Sequence, residues 1–407
     1  MSRMLTAADV ESAPGKRLVM GPGDRLTPLA RDRAKDLGVE LVAPGTAVPP
    51  PPVPAPAATK AATAPPVAPG GSRPLLLPPS GAMYRRNALA HRTVATRDTR
   101  PKAGVVGAGH VGAMTALRLA QSDLFSNVAL VDVVPGLAAG LALDLWHGAG
   151  LYGFSTTLSG SDDLAALAGC DYIVITAGKP RQPGMSRTDL TAVNAAIIET
   201  VSQGIRAHAP RATLVVVSNP LEEMTHLAAK FTGFPEERVI GMAGVLDSAR
   251  FCALVGLTGR AKPQDVHAHA LGSHGPEMVI PLSQAFVGTQ PIESVLDADT
   301  LKAIVERTRE SGAEVVKLLQ KGSAYFSPAE SAAAMVRAMV QDRGEVLAAC
   351  VRSRGAYGLA DTRVGLPVRL HRGGLKEVVT LNLRPDEQTA LREAAARIAE
   401  RIAALGS

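Results

Sequence analysis

The sequence predicts an α/β protein. A parallel sheet wound with helices is followed by an α+β domain and preceded by a small module on a Pro/Ala-rich linker. Short apolar runs alternate with helix-forming stretches from residue 102 to about residue 244, the pattern of a parallel sheet with crossover helices. The first run is followed at once by Gly107, Gly109 and Gly112. Beyond residue 245 the alternation breaks into longer helices and separated strands, which marks a second domain over residues 245–407.

Ala103–Val106 fits a buried strand, Ala113–Ser122 a helix, and Val128–Val131 a second strand closed by Asp132. Gly107 permits the turn out of the strand, Gly109 leaves room for a pyrophosphate against the backbone, and Gly112 lets helix and strand approach closely. The free N–H groups at the helix start favour phosphate. Asp132, 25 residues after Gly107, is placed to accept hydrogen bonds from an adenosine ribose diol and to repel a 2′-phosphate. These features predict a Rossmann-type NAD-binding domain over residues 101–244.

The 407 residues are 46% hydrophobic, enough for two or three domains, and only 3% aromatic, so no stacking platform for single-stranded nucleic acid is visible. The net charge of +6 is uneven: residues 1–100 carry +7 and the remainder −1. A basic surface for nucleic acid on the main body is therefore not expected. Cys170, Cys252 and Cys350 are far apart with no CxxC spacing, and are expected to be reduced structural thiols in a cytoplasmic setting. No apolar run is long enough to span a bilayer, and no metal-ligand cluster is expected.

Residues 1–46 read as a small ordered unit. Thr6 caps a short helix with Asp9 in the acidic place of a capping box, and Arg17–Met20 is extended. Thr27-Pro28 opens a second helix presenting Leu29, Ala30, Ala34 and Leu37 and ending at Gly38, and Val39–Val42 is extended again. Residues 47–100 form a Pro/Ala-rich linker ending in a basic stretch over Met83–Val94, and 16 of the 30 prolines fall in residues 1–100.

In the main body, a helix is expected along Gly140–His147, with Leu137, Leu141 and Leu145 on its inner face. Tyr172–Thr176 is the third strand, and a loop from Gly178 to Arg187, with Arg181 and Arg187, is suited to close over an anion. Asp189–His208 is a long helix, Leu214–Val217 the fourth strand, ended by Ser218-Asn219-Pro220, and Val239–Ala243 the fifth. A helix starts near Leu246, Val266–Leu271 is extended, and Asp299–Gly322 and Pro328–Asp342 are helical. Leu347–Val351 and Val378–Leu383 are expected strands, and Asp386–Leu405 a final helix.

Residues 101–407 resemble the lactate/malate dehydrogenase family. The matching stretches are Gly107–Gly112, Ile175–Arg187, Val217–Pro220, Gly244–Phe251, Leu271–Gly275 and Lys321–Tyr325. The resemblance implies that His274 is the acid/base, Asp247 its orienting carboxylate, and Arg250 the clamp for the substrate's C1 carboxylate. It implies that Asn219 bonds the reacting oxygen, that Arg187 closes from the loop, and that Arg181 matches a second carboxylate, which favours malate/oxaloacetate. NAD is the implied cofactor, held by Gly107, Gly109, Gly112, Asp132, Thr176, Gly178, Asn194, Val217 and Asn219. A lactate dehydrogenase that regenerates NAD, or an adaptor built on the enzyme body, remain alternatives. Family members assemble as homodimers or homotetramers. One departure is Pro276, where the family commonly has an acidic residue; Glu277 follows it. The segment 1–46 resembles modules appended to proteins of bacterial microcompartments, which implies a shell or cargo protein as partner. No nucleic-acid or membrane partner is expected.

Overall fold

The computed structural model describes residues 4–13, 17–42, 98–179, 187–320 and 322–405. The Pro/Ala-rich linker, the basic stretch over Met83–Val94, and Arg181 lie outside them. So does the side chain of Arg187, whose backbone is described. The chain divides into two units, Met1–His91 and Arg92–Ser407.

The first unit consists of two β-α-β halves. Strand β1 (Met4–Leu5), helix α1 (Ala7–Glu11) and strand β2 (Arg17–Val19) are followed by β3 (Arg25–Leu26), α2 (Pro28–Leu37) and β4 (Glu40–Val42). Strands pair in parallel across the halves, β1 with β3 and β2 with β4. Each helix follows a Leu-Thr pair. The Thr27 hydroxyl accepts the Ala30 N–H at 3.2 Å, whereas at Thr6 the Asp9 carboxylate takes the Thr6 N–H at 2.7 Å. Gly38 ends α2 with φ at 63°. Val10, Ala30 and Ala34 form the small core. Leu29, expected on the inner face, is exposed, because the Ala30–Ala34 spacing sets the face that meets Val10.

In the second unit the predicted strands appear as β5 (Lys102–Val106), β6 (Asn127–Val131), β8 (Tyr172–Ile175), β9 (Thr213–Val216) and β10 (Val239–Gly241). Their connecting helices are α3 (His110–Gln121), α4 (Leu137–His147), α5 (Ala149–Tyr152) and α6 (Arg187–His208). Several elements were not expected, α5 among them, and two of them flank the parallel sheet. β7 (Thr157–Ser161) is a polar edge strand pairing with β6, and it escapes notice because an edge needs no apolar run. A Cβ on its Gly160 would lie 2.1 Å from the Ala138 carbonyl oxygen, so glycine lets α4 pack onto this edge. Helix α7 (Leu221–Thr232) begins directly after Pro220. The face of α4 also differs: Ala138 and Ala142 are buried, while Leu137 is exposed and Leu141 and Leu145 only partly covered.

The six strands run in the order β7-β6-β5-β8-β9-β10, all parallel, and in the five other than β7 apolar side chains are buried on both faces. This is the expected Rossmann-type sheet. It continues into the second half through antiparallel pairing of β10 with β16 (Val346–Arg352), then β17 (Arg363–His371), β12 (Leu271–Gly272) and β13 (Met278–Val279). The expected strand over Val378–Leu383 is not formed. β17 and β18 (Gly374–Val378) make a hairpin there instead, and residues 379–384 are irregular. The run Val266–Leu271 breaks into β11 (Val266–His267) and β12, which join different sheets. β11 pairs with β14 (Phe286–Val287) and β15 (Gln290–Pro291). Helices α8 (Gly244–Gly256), α9 (Ile292–Val295), α10 (Ala298–Leu319), α11 (Phe326–Gln341) and α12 (Pro385–Ala403) complete the unit. On α12 the residues Leu391, Ala394, Ala395 and Ile398 are buried.

The three cysteines are free thiols. Burial pushes Cys252 up to about 11 and Cys170 to about 12, so both stay protonated and inert. Among the described residues no helix is long and apolar enough to cross a membrane.

Candidate active site

The C-terminal ends of β5, β8 and β9 open on a cavity of about 530 Å³. Its wall includes Gly109, Gly112, Thr176, Gly178, Asn194, Val217, Asn219, Arg250 and His274, so nine of the residues singled out in the sequence meet at one place.

The glycine turn is shaped for contact on one side and open on the other. Gly107 has φ at 101°, and a Cβ on it would lie 2.7 Å from the Ala177 nitrogen. A Cβ on Gly112 would lie 1.7 Å from the Gly107 carbonyl oxygen. Gly109 differs: a Cβ there would meet nothing within 4 Å. It is the N-cap of α3 and offers no side chain to the first-turn N–H groups, which are thus available to an anion. That open cradle fits the pyrophosphate of a dinucleotide. The Thr176 hydroxyl donates to the carbonyls of Val106 and Gly107, at 3.1 and 3.0 Å, and joins β8 to the turn.

Asp132, at the end of β6, accepts the Ala108 N–H at 2.6 Å and the Val134 N–H at 3.0 Å. It therefore stands beside the glycine turn rather than in the wall of the cavity. Asn194 of α6 is almost fully buried. Its Oδ1 accepts the Lys179 N–H at 2.8 Å, and its Nδ2 donates to the Lys179 and Asn219 carbonyls at 3.2 and 2.7 Å. It ties together the loops that leave β8 and β9. The Ser218 hydroxyl, donating to the Ala177 carbonyl at 2.6 Å, makes a second such tie.

The titratable groups come from the second half. His274 follows β12, and its Nδ1 lies 2.8 Å from Oδ2 of Asp247, in the first turn of α8. Asp247 is buried, and its other oxygen accepts from Arg250 Nη1 at 3.2 Å. One carboxylate thus orients both the imidazole and the guanidinium. Burial works to depress His274, but the Asp247 charge, its hydrogen bond and the Glu222 charge outweigh burial and raise the imidazole above its ordinary value. With Nδ1 turned to Asp247, Nε2 is the nitrogen available to a ligand.

Sequence reasoning missed several residues of the wall. Met242, Leu246, Gly312, Val316 and Tyr325 line it, and the Tyr325 ring lies 5.0 Å from that of His110. It also missed Glu222, whose Oε1 accepts the backbone N–H of His274 at 2.6 Å. The visible signal was the pair Glu222-Glu223 directly after Asn219-Pro220, and such a pair at a helix start normally reads as dipole compensation.

The arrangement offers a phosphate cradle, an acid/base with a raised proton affinity, and a guanidinium at the cavity wall. Together these suit hydride transfer to a carbonyl that carries an adjacent carboxylate. Comparison with known proteins agrees. Residues 101–241 match the lactate/malate dehydrogenase NAD binding domain, and residues 244–405 the lactate/malate dehydrogenase alpha/beta C-terminal domain. The chain is 44% identical over 299 residues to a malate dehydrogenase of Chloroherpeton thalassium, which spans 74% of this chain and 96% of the relative. The malate dehydrogenase structure from Salinibacter ruber superposes with a TM-score of 0.71 at 36% identity, covering 75% of this chain and 97% of that one. A lactate dehydrogenase from Cryptosporidium parvum, complexed with lactic acid and nicotinamide adenine dinucleotide, superposes with a TM-score of 0.72 at 32% identity, covering 75% and 98%.

Proposed function

The chain belongs to the lactate/malate dehydrogenase family and is an NAD-dependent oxidoreductase, and we propose a division of labour among its residues for the reaction (S)-malate + NAD⁺ = oxaloacetate + NADH + H⁺. The observation that carries the reading is the Asp247 carboxylate holding His274 on one oxygen and Arg250 on the other, at the wall of the dinucleotide cavity. NAD, when bound, accepts or supplies the hydride.

In the oxidation direction, Nε2 of His274 takes the hydroxyl proton of malate as the C2 hydrogen leaves as hydride and the C2=O bond forms. Asp247 stabilises the imidazolium that results. In the reduction direction the protonated imidazole returns that proton to the reacting oxygen. Arg250 clamps the C1 carboxylate with its fork of N–H donors. Asn219 bonds the reacting oxygen, and Arg187 adds charge to it from the start of α6. Arg181 pairs with the distal carboxylate. Gly107, Gly109, Gly112, Asp132, Thr176, Gly178, Asn194 and Val217 belong to the NAD side, Asn194 by holding the two loops together. We read residues 101–244 as the NAD-binding domain and 245–407 as the substrate domain.

Steady-state oxidation of NADH with oxaloacetate and with pyruvate tests the reading. Oxaloacetate is preferred, and Arg181→Gln removes about 10²-fold or more of that preference, since the distal carboxylate loses its partner. A preference for pyruvate in the unsubstituted protein would refute the malate assignment.

We further propose that the body forms a homodimer or homotetramer. Exposed Val133, Leu143, Trp146, Leu151 and Tyr152 on and around α4 and α5 support this. Light scattering that returns a monomer would reject it. For residues 1–46 we propose docking to a microcompartment shell or cargo protein. The support is the resemblance of the segment, its own small core and the Pro/Ala-rich tether that follows. Deleting residues 1–95 leaves turnover intact and abolishes that association; loss of turnover would overturn the modular view.

A further inference from the structure

We infer that Glu222 is a positioning residue for His274, a carboxylate that holds the acid/base by its backbone and sets the charge it feels; the inference rests on the hydride-transfer reading above. Glu222 is the second residue of α7 and only 2% exposed. Its Oε1 lies 2.6 Å from the His274 nitrogen. A carboxylate is costly to bury unless it is paired or well hydrogen-bonded. Arg401 of α12 is committed to the neighbouring residue: it pairs with Glu223 at 3.0 Å and reaches the Ser273 hydroxyl at 3.4 Å. The Glu222 carboxylate is held instead by the backbone N–H of His274 and by its own backbone N–H.

His274 is thereby gripped from three elements. Asp247 of α8 holds the ring, Glu222 of α7 holds the backbone, and Arg401 of α12 holds the residue before it. A backbone carbonyl would satisfy the N–H equally well. A carboxylate adds a negative charge within reach of the imidazolium. Among the described residues, the charged groups around His274 are Asp247 and Arg250 from α8 and Glu222 from α7, with Glu223 beside Glu222, and Glu277 of the following loop faces Arg397 and Arg401 from α12. The Cys350 thiol of β16 also lies within electrostatic reach of Glu222 and is kept neutral by burial. Burial raises the Glu222 carboxyl above its usual range, while the His274 N–H and the His274 charge pull it back.

The test uses the full chain with Glu222→Gln and Glu222→Asp. Glutamine keeps an acceptor oxygen at the same reach and removes the charge; aspartate keeps the charge on a shorter arm. For oxaloacetate reduction, which needs protonated His274, Glu222→Gln lowers kcat by about 10-fold and moves the alkaline limb of the pH profile to lower pH. KM for oxaloacetate and NADH stays within about 3-fold. Glu222→Asp returns the limb to its wild-type place with kcat still reduced. The imidazole titration of His274 followed by NMR moves down in Glu222→Gln, and it needs no turnover. An unmoved titration and limb in Glu222→Gln, whatever happens to Tm, would reduce Glu222 to a structural residue and overturn the inference. Should Glu222→Gln fail to fold, wild-type kcat in Glu222→Asp would overturn it. Failure of the reaction reading is distinct: it appears as an unsubstituted protein inert toward both 2-oxo acids, with the NMR titration still deciding the role of Glu222.

Discussion

Replacing Gly109 and Gly112 separately by alanine distinguishes two glycines that the motif alone treats alike. At Gly112 the new Cβ falls 1.7 Å from the Gly107 carbonyl oxygen and 2.8 Å from the Thr176 hydroxyl. The nearer clash is more than 1 Å inside the closest approach that real Cβ atoms make, and it is against backbone. α3 must therefore move off β5, an overpacking that costs about 3 kcal/mol. For a unit of this size that is a Tm drop of roughly 4–5 °C, with weakened NADH binding because the cradle is distorted. Gly109 has φ at −68°, which alanine adopts freely, and open space at the Cβ position. Gly109→Ala leaves stability within about 1 kcal/mol of wild type. Its methyl instead occupies the space of the pyrophosphate, so the Kd for NADH rises about 10- to 100-fold, or about 1.4–2.7 kcal/mol. Calorimetry and titration of NADH fluorescence read the two effects apart. A Gly112→Ala protein that melts and binds like wild type would refute the close-packing argument. Wild-type NADH affinity in Gly109→Ala would refute the placement of the pyrophosphate.

Asp247→Asn removes the charge that raises His274, so the alkaline limb of oxaloacetate reduction moves to lower pH and kcat falls by about 10²- to 10⁴-fold in stopped-flow or steady-state assays. The stability linkage has the same origin. With His274 raised in the folded state, the pair stabilises fully below the ordinary histidine value, and this is lost as pH rises through the raised value. The Tm deficit of Asp247→Asn is therefore largest on the acid side and shrinks toward alkaline pH. Arg250→Lys replaces a fork by a point charge and raises KM for oxaloacetate by about 10²-fold, with the Kd for NADH unchanged by fluorescence. Asp132→Ser removes the charge beside the glycine turn and raises the NADPH-to-NADH ratio of kcat/KM by about 10-fold.

Much of this molecule is legible in the order of its residues. The runs at 103–106, 128–131, 172–176 and 214–217 read as buried strands because both faces of a parallel sheet are covered, so the apolar signal is continuous. The glycine spacing and the Asp-x-x-Arg stretch read as sites because each packs its chemistry into a few consecutive residues. What does not repeat locally stays hidden. The edge strand Thr157–Ser161 carries no apolar pattern. The hairpin of Arg363–His371 with Gly374–Val378 takes its place from the pairing of β17 along its other edge with β16, a register that no local pattern announces. The same holds for Glu222. Its meaning depends on an N–H 52 residues away, brought to 2.6 Å only by the tertiary fold. Composition and spacing name the chemical groups; only packing decides which buried charge faces which, because electrostatic coupling follows distance in space and the dielectric between the groups.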